Sequence, residues 1–343
     1  MNADKEFSGF LKLVVGGEAL DAGSSARAFG AIMSGEVSEP QIAAFLTALA
    51  MREATVAEIT GAARAMRGTM HAINAPPGAI DLCGTGGDGH ATLNVSTAAS
   101  FVVAACGVPV AKHGNRNMSS RSGAADVLEA LGVGIDLSPG AAEACLAEVG
   151  LCFLFAPAYH PAMKHVASVR KQLGFRTVFN LLGPVCNPAG VRRQLLGVFA
   201  RAWGEPLARV LHELGTEKAW VVHGADGLDE MTTTDATDVF VLAHEKISQR
   251  IVTPEEVGLT RNSLSDIKGG TPEENAQAIR DVLNGAQGPF RDITLLNSAA
   301  ALVVADRSSD LRAGLNTAVL AIDSGAAYDK LQRLVTATRM LAA

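Results

Sequence analysis

The stretch AIDLCGTGGDGHATLNVSTAASFVVAAC, residues 79–106, contains the features that decide the fold and the first candidate site. The apolar run 79–83 is typical of a buried strand, and a helical stretch is expected to begin near Ser96, after a polar, glycine-rich loop. Residues 84–89, GTGGDG, match the G-x-G-x-x-G spelling of a dinucleotide-binding turn. A strand, a loop and a helix in this order predict a unit of an α/β fold.

A dinucleotide site needs two further features that this stretch lacks. The helix should start within the motif, and an acidic residue about 20 residues farther on should bind the ribose. Here the helix starts late, and the next expected strand, VPVAK (108–112), ends in the cationic sequence KHGNR (112–116). The sequence therefore argues against a nicotinamide or flavin enzyme.

The glycine-rich loop is suited to binding some other phosphate. Gly84, Gly86, Gly87 and Gly89 can present backbone N–H groups to an anion, and the following helix N-terminus adds partial positive charge. On this loop alone, an ordinary glycine-rich turn is an equal alternative. A second loop, 112–122, is rich in cations and serines and follows the next strand. The two loops together indicate a polyphosphorylated ligand.

The chain divides into a helical part and an α/β part at the segment NAPPGA (74–79). Before it, capping boxes at 38–41 and 55–58 mark helix starts. After it, short apolar runs alternate with helical stretches, which predicts a mostly parallel central sheet flanked by helices. The expected strands are 79–83, 108–112, 152–156, 194–199, 219–224 and 239–242. We therefore expect an α/β fold with a small all-helical N-terminal domain, 1–73, and a larger domain, 74–343.

The composition argues against several functional classes. With 343 residues, 48% of them hydrophobic, the chain can bury a sizeable core and does not resemble a disordered protein. A formal net charge of −6 and the lack of a basic stripe argue against a nucleic-acid partner. Five cysteines form no C-x-x-C pair, so we expect buried free thiols, as in a reducing compartment. The N-terminal sequence lacks an apolar signal core, and we expect a cytoplasmic protein without membrane contact.

An acidic dipeptide follows a later strand. The expected strand 219–224 runs into ADGLDE (225–230), which ends in Asp229 and Glu230. In an extended loop both carboxylates can reach a hard cation, and Mg²⁺ commonly binds a few carboxylates together with the phosphate oxygens of a substrate. A solvated acidic turn is the alternative on this segment alone. Because the segment follows a strand of the same sheet, it should lie at the same edge as the phosphate loops.

Four sequence blocks together resemble the anthranilate phosphoribosyltransferase family. They are GTGGDGHATLNVSTAA (84–99), PVAKHGNRNMSSRSGAADVLEALG (109–132), YHPAMKHVASVRKQLGFRTVFNLLGPVCNPA (159–189) and VVHGADGLDE (221–230), in the family's order and spacing. The resemblance implies the type III phosphoribosyltransferase fold, which is shared with thymidine-type nucleoside phosphorylases. In that fold a small helical domain, here joined by part of about 162–190, is hinged to the α/β domain, usually in a homodimer.

The same resemblance implies an activity. The family transfers the phosphoribosyl group of 5-phosphoribosyl-1-pyrophosphate to the amine of anthranilate, which gives N-(5-phosphoribosyl)anthranilate and pyrophosphate in tryptophan biosynthesis. It implies two Mg²⁺ ions per subunit, handled by Ser96, Asp229 and Glu230. No residue is assigned with certainty to catalysis, although Lys112 and Arg170 are expected to act through their charge and by orienting the substrates.

Substrate contacts carry over by matching motif positions. The anthranilate contacts implied are Gly84, Asn115 and Arg170, with His113 nearby. The residues implied to surround the phosphoribosyl donor are Gly84, Gly87, Asp88, Thr92, Asn94, Val95, Ser96, Thr97, Lys112, His113, Gly114, Asn115, Arg116, Asn117, Met118, Ser119, Ser120 and Ala124.

Three positions depart from the family's usual residues. Ala124 stands where a serine is common, so one hydroxyl contact to phosphate is expected to be missing. Asn117 replaces a smaller residue, and Leu93 replaces a phenylalanine. None of these changes removes a metal ligand or the anthranilate arginine.

Two related readings are weaker. A nucleoside phosphorylase of the same superfamily would need no pyrophosphate-binding loop, so the 112–120 segment and Arg170 argue against it. Some relatives have lost the activity and bind nucleic acid instead. The acidic net charge and the intact pair Asp229 and Glu230 argue against that reading.

Overall fold

The N-terminal part of the chain is entirely helical. The structure, a computed structural model, describes residues 3–116 and 122–341. The first helices are α1 (Ala3–Val15), α2 (Ala22–Ser34), α3 (Glu39–Arg52) and α4 (Val56–Gly68). The two expected capping boxes are formed, because the Ser38 N–H donates to Gln41 Oε1 at 3.3 Å and the Glu58 N–H donates to Thr55 Oγ1 at 3.3 Å.

A seven-stranded sheet forms the centre of the α/β part, with strand order β3-β2-β1-β4-β5-β6-β7. The strands are β1 (Ile80–Gly84), β2 (Val110–Gly114), β3 (Leu151–Phe155), β4 (Arg193–Gly197), β5 (Lys218–Gly224), β6 (Thr237–Ala243) and β7 (Lys246–Val252). Strands β1 to β5 are parallel, whereas β6 and β7 are antiparallel to their neighbours. The predicted mostly parallel sheet is confirmed.

The last strand, β7, was not expected from the sequence. Its side chains are mostly exposed, and it contains Lys246, Gln249 and Arg250, so it has no apolar run of the kind that marks a buried strand. The turn before it consists of His244 and Glu245, which both adopt positive φ, 51° and 60°. Such a hairpin turn usually contains Asn or Gly, and their absence removed the sequence signal.

Helices cover both faces of the sheet. They are α5 (Val95–Ala105), α6 (Ala124–Leu131), α7 (Pro139–Val149), α8 (Ala156–Tyr159), α9 (Lys164–Leu173), α10 (Phe179–Val185), α11 (Gly204–Glu213), α12 (Pro272–Leu283), α13 (Pro289–Val304), α14 (Leu311–Asp323) and α15 (Ala326–Leu341). On one face, α5 is buried along its length between the sheet and α13 to α15. Within the described ranges, every helix is too short or too polar to span a lipid bilayer.

The other face of the sheet packs against the N-terminal helices and α9 to α11. The rings of Phe29 in α2 and Phe179 in α10 lie 5.8 Å apart, and Val166 and Val169 of α9 belong to the same apolar core. Leu196 of β4 and Val221 of β5 extend that core into the sheet. One continuous apolar core therefore joins the N-terminal helices, the 164–185 region and the sheet.

The parallel register brings several strand ends to one level. Gly84 at the end of β1 pairs with Gly197 at the end of β4, and Gly197 pairs with Val222 of β5. On the other side of β1, Gly114 ends β2 beside Phe155 of β3. The loops that follow β1, β2 and β5 therefore leave the sheet along the same edge, as the sequence predicted.

All five cysteines are buried and none forms a disulfide, as expected. Burial raises the pKa of the Cys186 thiol to about 12 and that of Cys106 to about 11. These two thiols are neutral at physiological pH, so neither has the character of an activated nucleophile.

The close packing of α2 on α4 generates a stability prediction. A Cβ atom at Gly61 would lie 2.3 Å from the Ala22 carbonyl oxygen and 2.7 Å from Ser25 Cβ, whereas one at Gly68 in the same helix would meet nothing within 4 Å. We expect Gly61→Ala to lower the free energy of unfolding by about 1–3 kcal/mol because the two helices must separate. The matched control Gly68→Ala should be neutral or stabilising by up to about 1 kcal/mol. Chemical denaturation of both variants checks this, and equal effects would contradict it.

Candidate active site

Three segments meet at the edge of the sheet where the strands end. They are the glycine loop after β1 (85–94), the first turn of α5 and the acidic loop after β5 (225–236). The Gly86 N–H donates to Asp229 Oδ2 at 2.7 Å, and the Ser96 N–H donates to Glu230 Oε1 at 3.1 Å. Both acidic side chains are thus held by backbone donors of the loop and helix that were predicted to bind phosphate.

Glycines allow the acidic loop to lie directly against the strand ends. A Cβ at Gly84 would lie 2.3 Å from Asp229 Oδ2, and one at Gly197 would lie 1.6 Å from the Asp229 carbonyl oxygen. A side chain at Gly84 would displace the Asp229 carboxylate, and one at Gly197 would collide with the Asp229 backbone. Gly197 was not among the predicted site residues, and the only signal in the sequence was a glycine at the end of an expected strand.

The shape of the glycine loop depends on backbone conformations that favour glycine. Gly86, Gly87 and Gly89 have φ values of 65°, 79° and 84°. Asp88 Oδ1 accepts a hydrogen bond from the His90 N–H at 3.1 Å, which tightens the loop. The helix that follows, α5, begins at Val95, so the late helix start inferred from the sequence is confirmed.

Lys112 lies beneath the loop as a buried cation. Only 3% of the Lys112 surface is exposed, and its Nζ donates to the Leu82 carbonyl oxygen at 2.6 Å and to Ser96 Oγ at 3.1 Å. Burial lowers the pKa of Lys112, and the carboxylates of Asp81 and Glu230 oppose that shift. Lys112 is therefore a buried positive charge beside the first turn of α5, close enough to interact with Asp81 and Glu230.

A buried polar network around Asp81, which sequence reasoning missed, lies near Lys112. Asp81 in β1 accepts hydrogen bonds from the His113 N–H at 3.1 Å and from Asn187 Nδ2 at 2.8 Å, and Asn187 Nδ2 also donates to the Ala111 carbonyl oxygen at 2.8 Å. Burial raises the pKa of Asp81 to about 6, although the Asn187 hydrogen bond opposes the shift. The acidic residue inside an apolar strand, IDLC, was the available sequence signal.

The two acidic side chains share a crowded, buried position. Burial, and then the charge of Asp88, raise the pKa of Asp229 to about 7, and burial together with the charge of Asp229 raises the pKa of Glu230 to about 8. Lys112 lowers the pKa of Glu230 in part, but one ammonium does not balance these carboxylates. Ionising both carboxylates here is therefore costly, and a bound cation would favour their ionised forms.

The side chains present fit a magnesium ion. Carboxylates of Asp229 and Glu230 and the hydroxyl of Ser96 are hard oxygen donors, which Mg²⁺ prefers over nitrogen or sulfur ligands. Within residues 3–116 and 122–341, no group of three or more His, Cys, Asp or Glu side chains is arranged to hold a metal by itself. A Mg²⁺ ion here would therefore need oxygens from a substrate and water to complete its coordination.

A pair of neutral histidines lies next to this network. His113 Nδ1 is 3.1 Å from the Gly183 carbonyl oxygen, which can only accept, so Nδ1 carries the proton. The His113 and His160 rings are 5.1 Å apart. Burial lowers the pKa of His113 to about 3 and that of His160 to about 4, so neither ring is charged near neutral pH.

Comparison with known proteins places this architecture in a family. A family model described as "Glycosyl transferase family, a/b domain" matches residues 76–328, and one described as "Glycosyl transferase family, helical bundle domain" matches residues 8–70. The anthranilate phosphoribosyltransferase of Azorhizobium caulinodans is 52% identical over 338 residues, which is 98% of either chain. The chain belongs to the anthranilate phosphoribosyltransferase family. The enzyme of that name from Beijerinckia indica is 54% identical over 330 residues, which is 96% of either chain.

Solved structures of anthranilate phosphoribosyltransferases have the same fold. The one from Thermus thermophilus matches with a TM-score of 0.92 and 42% identity, over 99% of this chain and 100% of that one. The one from Saccharomyces cerevisiae, solved in complex with PRPP and Mg, matches with a TM-score of 0.90 and 28% identity, over 97% and 98%. The family resemblance and the fold class predicted from the sequence are confirmed.

The arginines predicted to act at the site differ in their surroundings. Arg170 of α9 is half-buried and lies 5.4 Å from the Phe179 ring, and no carboxylate within the described ranges forms an ion pair with it. Burial lowers its pKa. Arg116, by contrast, pairs with Asp126 at 2.8 Å and Glu129 at 2.5 Å on α6. The guanidinium of Arg170 is thus available for a carboxylate ligand, whereas that of Arg116 is already engaged.

The remaining predicted residues lie around the glycine loop and α5. Asn94 Oδ1 accepts from Asn275 Nδ2 at 2.9 Å, and Thr92 forms a bridge with Lys268. Asn115 Oδ1 accepts from the Arg116 N–H at 2.7 Å. Val95 and Thr97 lie in the first turn of α5, Gly114 ends β2, and Ala124 begins α6. Asn117, Met118, Ser119 and Ser120 lie outside the described residues.

Proposed function

We propose that this protein is an anthranilate phosphoribosyltransferase: it transfers the phosphoribosyl group of 5-phosphoribosyl-1-pyrophosphate to the amine of anthranilate. The products are N-(5-phosphoribosyl)anthranilate and pyrophosphate, in tryptophan biosynthesis. The observation that supports this most strongly is the hydrogen bonding of Asp229 to Gly86 and of Glu230 to Ser96, which joins the acidic dipeptide to the phosphate-binding elements. Relatives of that name align with nearly the whole chain.

The donor would bind along the glycine loop. Backbone N–H groups of this loop and the N-terminus of α5 would receive its phosphates, and Lys112 would add a fixed positive charge. The predicted donor contacts among the described residues surround these elements, from Gly84 to Thr97 and from Lys112 to Arg116. They support the proposal by their position on one edge of the sheet.

Asp229, Glu230 and Ser96 would hold Mg²⁺, and we propose two ions per subunit. When bound, the metal supplies Lewis-acid neutralisation of the charge on the pyrophosphate oxygens. The buried carboxylates would hold the ions beside the glycine loop, and the backbone donors to Asp229 and Glu230 fix both side chains in place. Enzyme turnover is therefore expected to depend on Mg²⁺.

Anthranilate would bind next to the donor, between the loop after β2 and helix α9. Arg170 can pair bidentately with its carboxylate, and Asn115 and Gly84 would border the ring. His113 would lie nearby as a neutral ring. An aromatic amine is neutral at pH 7 and already nucleophilic, so the protein does not need a general base to free its lone pair.

The chain's contribution to the reaction is then electrostatic and orientational. As the bond from the anomeric carbon to pyrophosphate breaks, negative charge develops on the leaving oxygens, and Lys112 and the loop N–H groups stabilise it. By pairing with the anthranilate carboxylate, Arg170 holds the amine of the same molecule in line with that bond. We propose that the helical domain, 1–73 with part of about 162–190, closes over the larger domain, 74–343, and excludes water that would otherwise attack the ribose.

We also propose that the enzyme acts as a homodimer in the cytoplasm. The family resemblance supports the dimer, and the buried reduced thiols are compatible with a reducing compartment. The acidic net charge of −6 argues against a nucleic-acid partner.

The activity can be tested directly with the purified protein. We expect anthranilate fluorescence to decay when 5-phosphoribosyl-1-pyrophosphate and Mg²⁺ are both present, and not when either is omitted. A parallel incubation of a pyrimidine nucleoside with inorganic phosphate should release no free base. Base release without anthranilate consumption would instead identify a nucleoside phosphorylase.

The proposed role of Arg170 predicts a selective kinetic effect. Arg170→Ala should raise the KM for anthranilate about tenfold or more, because a charge-assisted, bidentate pair is lost, and should change the donor KM far less. Arg209→Ala is a matched control, since Arg209 is an exposed arginine whose ion pair, among the residues that the structure describes, is with Glu205 on its own helix. Steady-state kinetics with each substrate varied separately checks the prediction. A larger change in the donor KM would remove Arg170 from the anthranilate site.

The acidic dipeptide predicts both a metal dependence and its pH profile. A carboxylate binds Mg²⁺ only when ionised, and the pKa values of Asp229 and Glu230 are raised to about 7 and about 8. Protons therefore compete with the metal below those values, so the Mg²⁺ concentration for half-maximal activity should fall as pH rises through neutrality and level off above the higher pKa. The double variant Asp229→Ala, Glu230→Ala should lose about a hundredfold or more in turnover. An unchanged magnesium titration in that variant would show that other groups bind the metal.

A further inference from the structure

The side chain of Arg176 crosses from the segment between α9 and α10 to the glycine loop. Its Nη2 donates to the Gly87 carbonyl oxygen, and its guanidinium carbon lies 4.2 Å from the centre of the Phe199 ring. Within the described ranges no carboxylate forms an ion pair with it. Arg176 is thus a solvent-exposed arginine whose contacts are a backbone carbonyl of the donor loop and an aromatic face.

The contact with Gly87 fixes the direction of one peptide group. The Gly87–Asp88 peptide is trans, so its carbonyl and the Asp88 N–H point in opposite directions. Because the carbonyl points to Arg176, the Asp88 N–H is directed to the other side of the peptide plane. Gly87 has φ of 79°, a conformation that glycine leaves easily, and it therefore needs an external contact to hold one orientation.

The aromatic platform is itself tied to the same loop. The Phe199 N–H donates to Thr85 Oγ1 at 3.0 Å, and the Thr85 N–H donates to the Gly197 carbonyl oxygen at 2.9 Å. The Phe199 ring is therefore positioned by residues at the start of the glycine loop. A planar guanidinium lying over that ring has its N–H groups directed sideways, toward Gly87.

We propose that Arg176 is a positioning residue: it holds the Gly87–Asp88 peptide in the orientation that binds the phosphoribosyl donor. Arg176 lies over the Phe199 ring, and it connects the donor loop to the segment that follows α9, the helix that carries Arg170. This inference rests on the proposed function, because the ligand of the loop is taken to be 5-phosphoribosyl-1-pyrophosphate. Neither Arg176 nor Phe199 is among the residues that the family resemblance assigned to a substrate.

Three variants of the full-length protein test the inference. Arg176→Ala removes both contacts. Arg176→Lys keeps the charge but not the planar fork. Phe199→Leu removes the ring and leaves the Phe199 backbone bond to Thr85. The control is Arg27→Ala, since Arg27 also lies over a phenylalanine ring, 5.5 Å from the centre of Phe10, in the N-terminal helices. Donor binding with Mg²⁺ is measured by calorimetry, and the KM for each substrate and kcat by steady-state kinetics.

We expect Arg176→Ala to weaken donor binding about tenfold, as for a lost hydrogen bond to a charged donor, with a much smaller change in the anthranilate KM. Phe199→Leu should weaken donor binding in the same direction, and Arg176→Lys should restore little. The effects of Arg176→Ala and Phe199→Leu should be less than additive when combined, because both act through one contact. Arg27→Ala should bind the donor like the wild type.

Three results would overturn the positioning role. They are unchanged donor affinity in Arg176→Ala, full rescue by Arg176→Lys with no effect of Phe199→Leu, and a change confined to the anthranilate KM. The second of these would show a direct charge contact with the donor instead. A wild-type protein that binds the donor but consumes no anthranilate would reject the proposed function and leave the binding comparison valid. A wild type that does not bind the donor would reject both.

Discussion

The close approach of Asp229 to the ends of β1 and β4 is the constraint on which the site depends. A Cβ at Gly197 would lie 1.6 Å from the Asp229 carbonyl oxygen, so the acidic loop can lie there only because β4 ends in glycine, and the glycine that ends β1 leaves room for the Asp229 carboxylate. That approach brings Asp229 to the Gly86 N–H and Glu230 to the first turn of α5. The sheet register fixes the level of the strand ends, and the glycines allow the loops above them to share one small volume.

This proximity concentrates negative charge where the protein cannot neutralise it alone. Burial raises the pKa of Asp229 to about 7 and that of Glu230 to about 8, and Lys112 is already bonded to Leu82 and Ser96. Carboxylates in such a position are costly to ionise without a cation. The same groups therefore explain why a magnesium ion and a polyanionic sugar would bind together, because the metal supplies the positive charge that both the carboxylates and the sugar phosphates need.

The sequence predicted the fold and the convergence of loops well, but not the contacts between them. Apolar runs and alternation indicated β1 to β6, because each of those strands is buried and carries its own local signal. The sequence analysis missed β7, which is exposed and follows a turn of His244 and Glu245. It also missed Gly197, Asn187 and Arg176, since each matters through a residue far away in the chain: Asp229, Asp81 and Gly87 respectively. Pairings of that kind have no periodicity to detect.

The protonation states at the site bear on the type of catalysis. His113 and His160 are neutral because burial lowers their pKa values to about 3 and about 4, and the Cys106 and Cys186 thiols are neutral because burial raises their pKa values to about 11 and about 12. None of these groups has a pKa near 7, as an efficient general base would require. The charged groups to which the proposed function gives a role are cations or cation ligands: Lys112, Arg170 and the acidic dipeptide. Such a set of fixed charges suits a reaction in which the nucleophile is already neutral and the leaving group gains negative charge.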